Sequence, residues 1–196
     1  MLITGAVVTA GAVLVGLRRL DYERIPQAAV LAAAFFVASL IAVPVGPSSV
    51  HLLLNGLMGL VLGWAAVPAI LVALVLQAVF FGFGGLLVLG VNTMNMALPA
   101  LICAALFRAP LCRQPGRWGF LIGAGAGALG VLLTGVLIAM ALAASGSALV
   151  PAAKIILLTY LPLAFVEALV TGAAVTFLGR VAPEILCPME ATGHDR

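Results

Sequence analysis

Seven apolar stretches, separated by charges and helix-breaking residues, make up most of this chain of 196 residues. A helix that crosses a hydrocarbon core of about 30 Å needs about 20 apolar residues. The pattern therefore predicts an all-α integral membrane protein with about seven transmembrane helices, placed as a multi-pass protein in the cell (inner) membrane. The stretches are Leu2–Leu17, Pro26–Val43, Val50–Val67, Pro68–Phe83, Val91–Phe107, Trp118–Ala144 and Pro151–Gly179.

Composition excludes several classes of protein. Charged residues form 8% of the chain and hydrophobic residues 65%, whereas an ordinary soluble domain carries about 25% charged residues. A chain with so little polar surface is surrounded by membrane lipid, and we expect neither a soluble enzyme nor a nucleic-acid partner. Cys103, Cys112 and Cys187 form no CxxC pair and no even set, so the sequence predicts neither a disulfide framework nor a zinc site, and we assign them no role.

The positions of the basic residues predict the orientation. Eight of them follow the first, fifth and seventh stretches, and only Lys154 falls on the other side. With seven alternating crossings, the positive-inside rule places the N-terminus outside and the C-terminus in the cytoplasm. We expect a polytopic membrane domain over 1–182 and a short cytoplasmic tail over 183–196. The eight residues are Arg18, Arg19, Arg24, Arg108, Arg113, Arg117, Arg180 and Arg196.

Glycines add two expectations about packing. The stretch Gly82–Gly90 predicts a bent or re-entrant element, because such backbone survives at membrane depth only where protein or a wet cavity satisfies its amides. Gly119, Gly123 and Gly127 stand at GxxxG spacing in the sixth stretch. Small residues at this spacing let helices approach closely in lipid.

A first polar cluster opens the third stretch, with Ser48, Ser49, His51 and Asn55. His51 and Asn55 are four residues apart and would share one face of a helix, and Ser48 or Ser49 could cap its start. A neutral imidazole is a good ligand for Ni²⁺ and Co²⁺, so His51 is a candidate metal ligand, with Ser49 and Asn55 beside it. The alternative is a histidine bonded to a neighbouring carbonyl.

Two further clusters lie inside the apolar region. Asn92 and Asn95 open the fifth stretch on the predicted outer side, where they could cap loop backbone or surround a ligand. Glu167 lies within the seventh stretch, and a carboxylate at membrane depth indicates function by default. Its alternative role is an internal hydrogen-bond anchor to Gln77 or to a backbone amide.

Templates for covalent chemistry are missing from the sequence. A serine two or three residues before His51 cannot make in-line attack geometry, and no acid is placed to orient that histidine. Neither HExxH nor GxxxxGK[ST] occurs. We therefore expect no enzyme, and any ATP hydrolysis would belong to a separate ATPase.

Several blocks of the chain resemble the CbiM/NikM family, the substrate-capture (S) membrane components of energy-coupling-factor transporters for cobalt and nickel. The blocks are SVHLLLNG, LQAVFFGFGG and GVNTMNM within Pro44–Pro99, and YLPLAFVEALVTG before Arg180. The resemblance runs from about Arg18 to Ile185.

The resemblance implies a seven-helix bundle with an external N-terminus and a transported Co²⁺ or Ni²⁺ ion held by His51. In the family, the N-terminal amine, an early backbone amide and a histidine at position 2 complete a near-planar nitrogen set. It also implies partners: a transmembrane coupling protein, cytoplasmic ATPase subunits and often a small accessory membrane protein. The expected function is ATP-driven uptake, with this chain binding the ion at the outer face.

The chain departs from the family pattern at the site itself. Leu2 stands where the family has histidine, and Ala42 and Phe83 stand where it often does. A chain lacking on the order of ten N-terminal residues would explain Leu2 and the short first stretch; natural variation is the other explanation. The alternative function is a non-transporting membrane scaffold or partner subunit with a degenerate metal site. A permease for an organic solute is a weaker alternative, since aromatic residues form only 7% of the chain.

Overall fold

A computed structural model describes residues 2–45, 48–113 and 118–187. In this part of the chain, helices dominate, and one antiparallel hairpin interrupts them. The helices are α1 (Leu2–Arg18), α2 (Ile25–Ala38), α3 (Asn55–Leu62), α4 (Ala66–Phe81), α5 (Leu89–Arg113), α6 (Gly119–Ser145), α7 (Val150–Val181) and α8 (Pro183–Leu186). The strands are β1 (Ala42–Val45) and β2 (Ser48–His51), with Ala42 opposite His51.

The expected number of transmembrane helices is confirmed only in part. Four helical stretches are long and apolar enough to cross a membrane, or five if the pair α1 and Tyr22–Ala38, bent by 107°, forms one span. Seven helices of eight residues or more occur in the described ranges, but α3 is only about 12 Å long at 1.5 Å per residue. The multi-pass, helical character is confirmed, whereas seven full spans are not. The four stretches are Asn55–Phe81, Leu86–Arg113, Gly119–Ser145 and Ser147–Val181.

The stretch Asn55–Phe81 folds back on itself. As a straight helix its 27 residues would be about 40 Å long, yet the rings of His51 and Phe83, which flank its two ends, have centroids 6.5 Å apart. The reversal lies at Gly63, whose φ of +56° is a conformation that side chains disfavour. Helices α3 and α4 therefore form a helical hairpin, whose turn at Gly63 lies beside the Arg108 side chain near the far end of α5.

The structure also corrects the secondary structure predicted around His51. Residues predicted as the end of one helix and the start of the next form β1 and β2, because Pro44 cannot donate a helical hydrogen bond and the flanking valines favour strands. Helix α3 begins at Asn55 with Leu54 as its N-cap. The predicted cap by Ser48 or Ser49 and the predicted shared helix face of His51 and Asn55 are therefore wrong.

Close helix contacts form the centre of the bundle. A Cβ added at Gly127 on α6 would lie 2.5 Å from the Glu167 carbonyl oxygen and 2.8 Å from Thr171 Cβ on α7. Such distances leave room for glycine alone, as the GxxxG spacing predicts. This contact fixes the height of Glu167 relative to α6. The predicted irregular element at Gly82–Gly90 is also present: Gly82, Gly84 and Gly85 have φ between +69° and +73°, and Leu86–Val88 forms one 3₁₀ turn before α5.

At the end of the bundle away from the β-hairpin, Cys112 and Cys187 form a disulfide with Cα atoms 5.5 Å apart. The expectation of no disulfide was wrong, because residues 75 apart in sequence meet only when α8 returns to α5. Cys103 is free, buried and donates to the Ala126 carbonyl oxygen at 3.3 Å. The segment Pro183–Cys187, the described part of the predicted tail, packs on the bundle through buried Leu186. Residues 188–196 lie outside the described part of the chain.

Candidate functional site

The candidate site lies at the hairpin end of the bundle, which we define by β1, β2 and the connection 82–88 between α4 and α5. Strand β2 carries His51 as its last residue. The imidazole is half-buried and lies parallel to the Phe83 ring, with an interplanar angle of 4°. Its Nδ1 atom lies 3.2 Å from the Leu52 carbonyl oxygen.

This contact determines what the His51 ring can offer to a ligand. A carbonyl oxygen can only accept, so the bond requires a proton on Nδ1, and in the neutral ring this is the Nδ1–H tautomer. The lone pair is then on Nε2, the atom that binds metals when the other ring nitrogen donates to a backbone carbonyl. The bond to Leu52 is the carbonyl contact of the structural alternative, and it is also the arrangement that orients a metal-binding histidine.

The Glu167 side chain, on α7, contacts the segment that directly follows His51. Its carboxylate is fully buried and accepts hydrogen bonds from the backbone amides of Leu53 and Leu54. The bonds from Leu54 N measure 3.0 Å and 3.2 Å to the two carboxylate oxygens. The anchoring arrangement to a backbone amide is thus present, whereas Gln77 is not its partner. The Gln77 side-chain nitrogen is buried without a hydrogen-bond partner.

Asn55 faces away from His51, into the contact between α3, α5 and α6. Its Nδ2 atom donates to Thr134 Oγ1 at 2.8 Å and also lies within 3.5 Å of the carbonyl oxygens of Gly130 and Met96. The side chain is fully buried. Glu167 and Asn55 therefore fix the start of α3 from two sides, and the hydrogen bonds of both side chains go to groups other than the His51 ring.

Asn92 and Asn95 lie in the first two turns of α5, not in a loop. Both line a cavity of about 420 Å³ at the hairpin end, together with Leu2 at the start of α1 and Gly84. Gly84 follows directly after Phe83, the residue that stacks on His51, but neither Phe83 nor His51 lines the cavity. The two asparagines supply polar groups to a cavity that is otherwise mostly apolar.

Three positions that depart from the family pattern meet at this end. Ala42 is the strand partner of His51, Phe83 stacks on its ring, and Leu2 lines the cavity that contains Asn92 and Asn95. In the described part of the chain, no three His, Cys, Asp or Glu residues come together as a metal cluster. Of the predicted site residues, His51, Asn92 and Asn95 lie at the hairpin end. Ser49 faces Pro44 in the strand register.

Two features of the site were missed by sequence reasoning. The Leu52–Leu53 peptide group contacts both His51 and Glu167, and Thr134 pairs with Asn55. A contact made by a backbone group cannot be predicted from the residue type. Thr134, by contrast, is a polar residue within the apolar sixth stretch, and this signal could have identified it.

The fold and this site define a multi-pass helical membrane protein with a histidine at one end and two asparagines that line a cavity at the same end. The chain belongs to the CbiM family, whose model, described as a cobalt uptake substrate-specific transmembrane region, matches residues 1–185. The resemblance found in the motifs is thereby confirmed.

Curated relatives and a solved structure agree with this assignment. A putative metal transport protein of Haemophilus influenzae is 45% identical over 188 residues, covering 95% of this chain and 91% of that protein. A fused nickel transport protein of Rhodobacter capsulatus is 42% identical over 90 residues, 45% of this chain and 26% of the fused protein. A crystal structure described as a transition metal transporter matches with a TM-score of 0.72 at 23% identity. The match covers 92% of this chain and 88% of the chain in that structure, so the two have the same fold.

Proposed function

We propose that this chain is the substrate-capture component of an ATP-driven uptake transporter for cobalt or nickel. It binds the divalent ion at the outer face of the membrane and carries out no covalent chemistry. Family membership supports the substrate class, and the hairpin end supplies the place for capture. Imidazole nitrogen suits Ni²⁺ and Co²⁺ better than it suits hard ions such as Mg²⁺.

The observation that carries the proposal is the orientation of His51. A ring held at Nδ1 by the Leu52 carbonyl oxygen keeps Nε2 for a metal. One imidazole holds an ion weakly, so the ligand set needs further nitrogens. The start of α1 is at the same end of the bundle, since Leu2 lines the cavity beside Asn92 and Asn95. A terminal amine and backbone amides from this region would complete a nitrogen set.

In the proposed orientation, the hairpin end and the N-terminus lie outside the membrane, and the C-terminus lies in the cytoplasm, as the positions of the basic residues predict. A transmembrane coupling protein, cytoplasmic ATPase subunits and a small accessory membrane protein would be its partners. The relative from Rhodobacter capsulatus is described as a fused nickel transport protein, which supports a second membrane component. Hydrolysis of ATP would be done by the partner ATPase.

A second function has one observation in its favour. The residues at Leu2, Ala42 and Phe83, all at the hairpin end, lack metal-binding side chains, and the described residues form no cluster of three ligands. A membrane scaffold or partner subunit with a degenerate metal site would have this composition. Metal binding by the purified chain separates the two functions.

Calorimetric titration of the purified full chain with Ni²⁺ and with Co²⁺ tests the proposal. We expect saturable binding that His51→Ala abolishes. His194→Ala is the matched control, because it removes the other histidine of the chain and should leave affinity unchanged. Binding that survives His51→Ala would remove the site assignment, and a chain that binds neither ion would favour the scaffold.

A further inference from the structure

One peptide group connects the His51 ring to the Glu167 carboxylate. The carbonyl of the Leu52–Leu53 peptide is 3.2 Å from His51 Nδ1, and the N–H of the same peptide donates to Glu167. The peptide unit is planar and trans, so its C=O and N–H point in opposite directions. The three groups therefore lie in a row, from carboxylate through peptide to imidazole.

We infer that Glu167 is the positioning residue of His51 and acts through this peptide, which we call the Leu52–Leu53 relay. The inference rests on the proposed function and assigns a role to a carboxylate that binds no metal itself. In many metal sites, a carboxylate accepts directly from the second nitrogen of a ligating histidine, which fixes the tautomer and raises ligand basicity. Here one peptide group is inserted between the two.

Three observations support this role for Glu167. First, its side chain is fully buried, and a buried carboxylate without partners is costly, so its bonds to Leu53 and Leu54 hold the segment firmly. Second, the N–H of the Leu52–Leu53 peptide donates to the Glu167 carboxylate. This bond polarises the peptide and makes the Leu52 carbonyl oxygen a stronger acceptor for the His51 ring.

The third observation is that the position of Glu167 is itself fixed. Gly127 on α6 packs against the Glu167 carbonyl oxygen at a distance that excludes any side chain at that glycine. Leu54 also has a φ of +48°, a conformation that residues other than glycine rarely adopt. The Glu167 bond to the Leu54 amide holds this residue where α3 begins.

The inference predicts a graded effect on metal affinity. Glu167→Ala should lower Ni²⁺ affinity about 10- to 100-fold, the range typical of partners behind a metal ligand. Glu167→Gln keeps one acceptor oxygen and should recover part of that loss. Thr171→Val is the matched control, since Thr171 lies one turn further along α7, is equally buried, and has no hydrogen-bond partner for its hydroxyl. The Ni²⁺ affinity of this variant should equal that of the wild type.

A metal-free measurement separates this inference from the proposed function. The chain has two histidines, so ¹⁵N NMR of a histidine-labelled sample, with His194→Ala for assignment, reports the His51 tautomer. We expect the Nδ1-protonated form in the wild type and in Thr171→Val, and a mixture of tautomers in Glu167→Ala and, to a smaller extent, Glu167→Gln.

The outcomes distinguish the two ideas. If His51→Ala abolishes binding while folded Glu167→Gln and Glu167→Ala keep the wild-type affinity and tautomer, the relay is refuted and the proposed function stands. If the wild type binds no metal but its tautomer depends on Glu167, the relay stands and the proposed function fails. Should Glu167→Ala not fold, Glu167→Gln against Thr171→Val decides the question.

Discussion

Asn55 on α3 and Thr134 on α6 are joined by a hydrogen bond of 2.8 Å between Nδ2 and Oγ1, and both side chains are fully buried. The Thr134 hydroxyl also donates to the Gly130 carbonyl oxygen one turn earlier at 2.9 Å. The bond sets the depth at which the short helix α3 begins. His51 and the Leu52–Leu53 relay lie directly before that point in the chain, so the height of the site depends on this pair.

Removing this pair should destabilise the bundle. Asn55→Ala removes the side-chain amide that donates to Thr134 Oγ1 and lies near two carbonyl oxygens. A buried polar group left without its partner lowers the free energy of unfolding by about 1–3 kcal/mol. We expect a lower melting temperature in detergent by differential scanning fluorimetry. Thr134→Val should cost less, since the Asn55 amide keeps the carbonyl oxygens of Gly130 and Met96 as acceptors. Equal melting temperatures for Asn55→Ala and wild type would mean that the bond does not support the fold.

The contact of α3 with α5 predicts a strong effect at one glycine. A Cβ at Gly59 would collide with the Ala100 backbone, and backbone cannot yield as a flexible side chain can. Gly59→Ala should therefore separate α3 from α5 and lower both folded yield and thermal stability. Gly11→Ala on α1 is the control, because a Cβ there meets nothing within 4 Å, and alanine favours a helix by about 1 kcal/mol over glycine. A Gly59→Ala protein as stable as Gly11→Ala would contradict this packing.

The Cys112–Cys187 pair provides a test of orientation. In the proposed orientation this end faces the cytoplasm, where thiols are kept reduced. In growing cells we therefore expect the Cys112–Cys187 disulfide of the structure to be reduced to two reactive thiols, and a mild oxidant should form it again, since the Cα atoms are 5.5 Å apart. The measurement is a gel shift with maleimide-polyethylene glycol after acid quenching, and buried Cys103 should react only after denaturation. A pair already oxidised in cells would place this end in an oxidising compartment and reverse the orientation.

Phe83 offers a test of the site by gain of binding. Its ring centroid lies 6.5 Å from that of His51, with the rings parallel, so a second imidazole at this position could share one ion. Phe83→His should tighten Ni²⁺ binding by about 10-fold or more, equivalent to at least 1.4 kcal/mol. Phe80→His is the control, because the Phe80 ring packs on Phe36 instead. An affinity gain equal in both variants would mean that Phe83 is not beside the metal.

The sequence predicts the membrane class, the family and most helix bounds, because these depend on long apolar runs. The seventh stretch, expected at Pro151–Gly179, is α7 over Val150–Val181. The reversal between the third and fourth stretches, expected at Pro68, lies five residues earlier at Gly63, and its exact position is harder to predict. A helix of eight residues and the turn at Gly63 depend on packing against α5 and α6, and the apolar pattern is the same on both sides of that turn.

The site is predictable only in its side chains. His51, Asn92, Asn95 and Glu167 are identifiable as rare polar groups in an apolar chain. Their arrangement is not, because β2 holds His51 in an extended segment and a backbone peptide, invisible to residue patterns, links it to Glu167. The Cys112–Cys187 pair was missed for the same reason, since only the return of α8 to α5 brings the two together.

X-ray absorption at the nickel edge of the loaded full chain shows whether the His51 imidazole binds the transition-metal ion. We expect a nitrogen-rich spectrum with the multiple scattering of an imidazole, which disappears in His51→Ala and persists in His194→Ala. Nickel retained with the same spectrum in His51→Ala would mean that His51 is not a ligand.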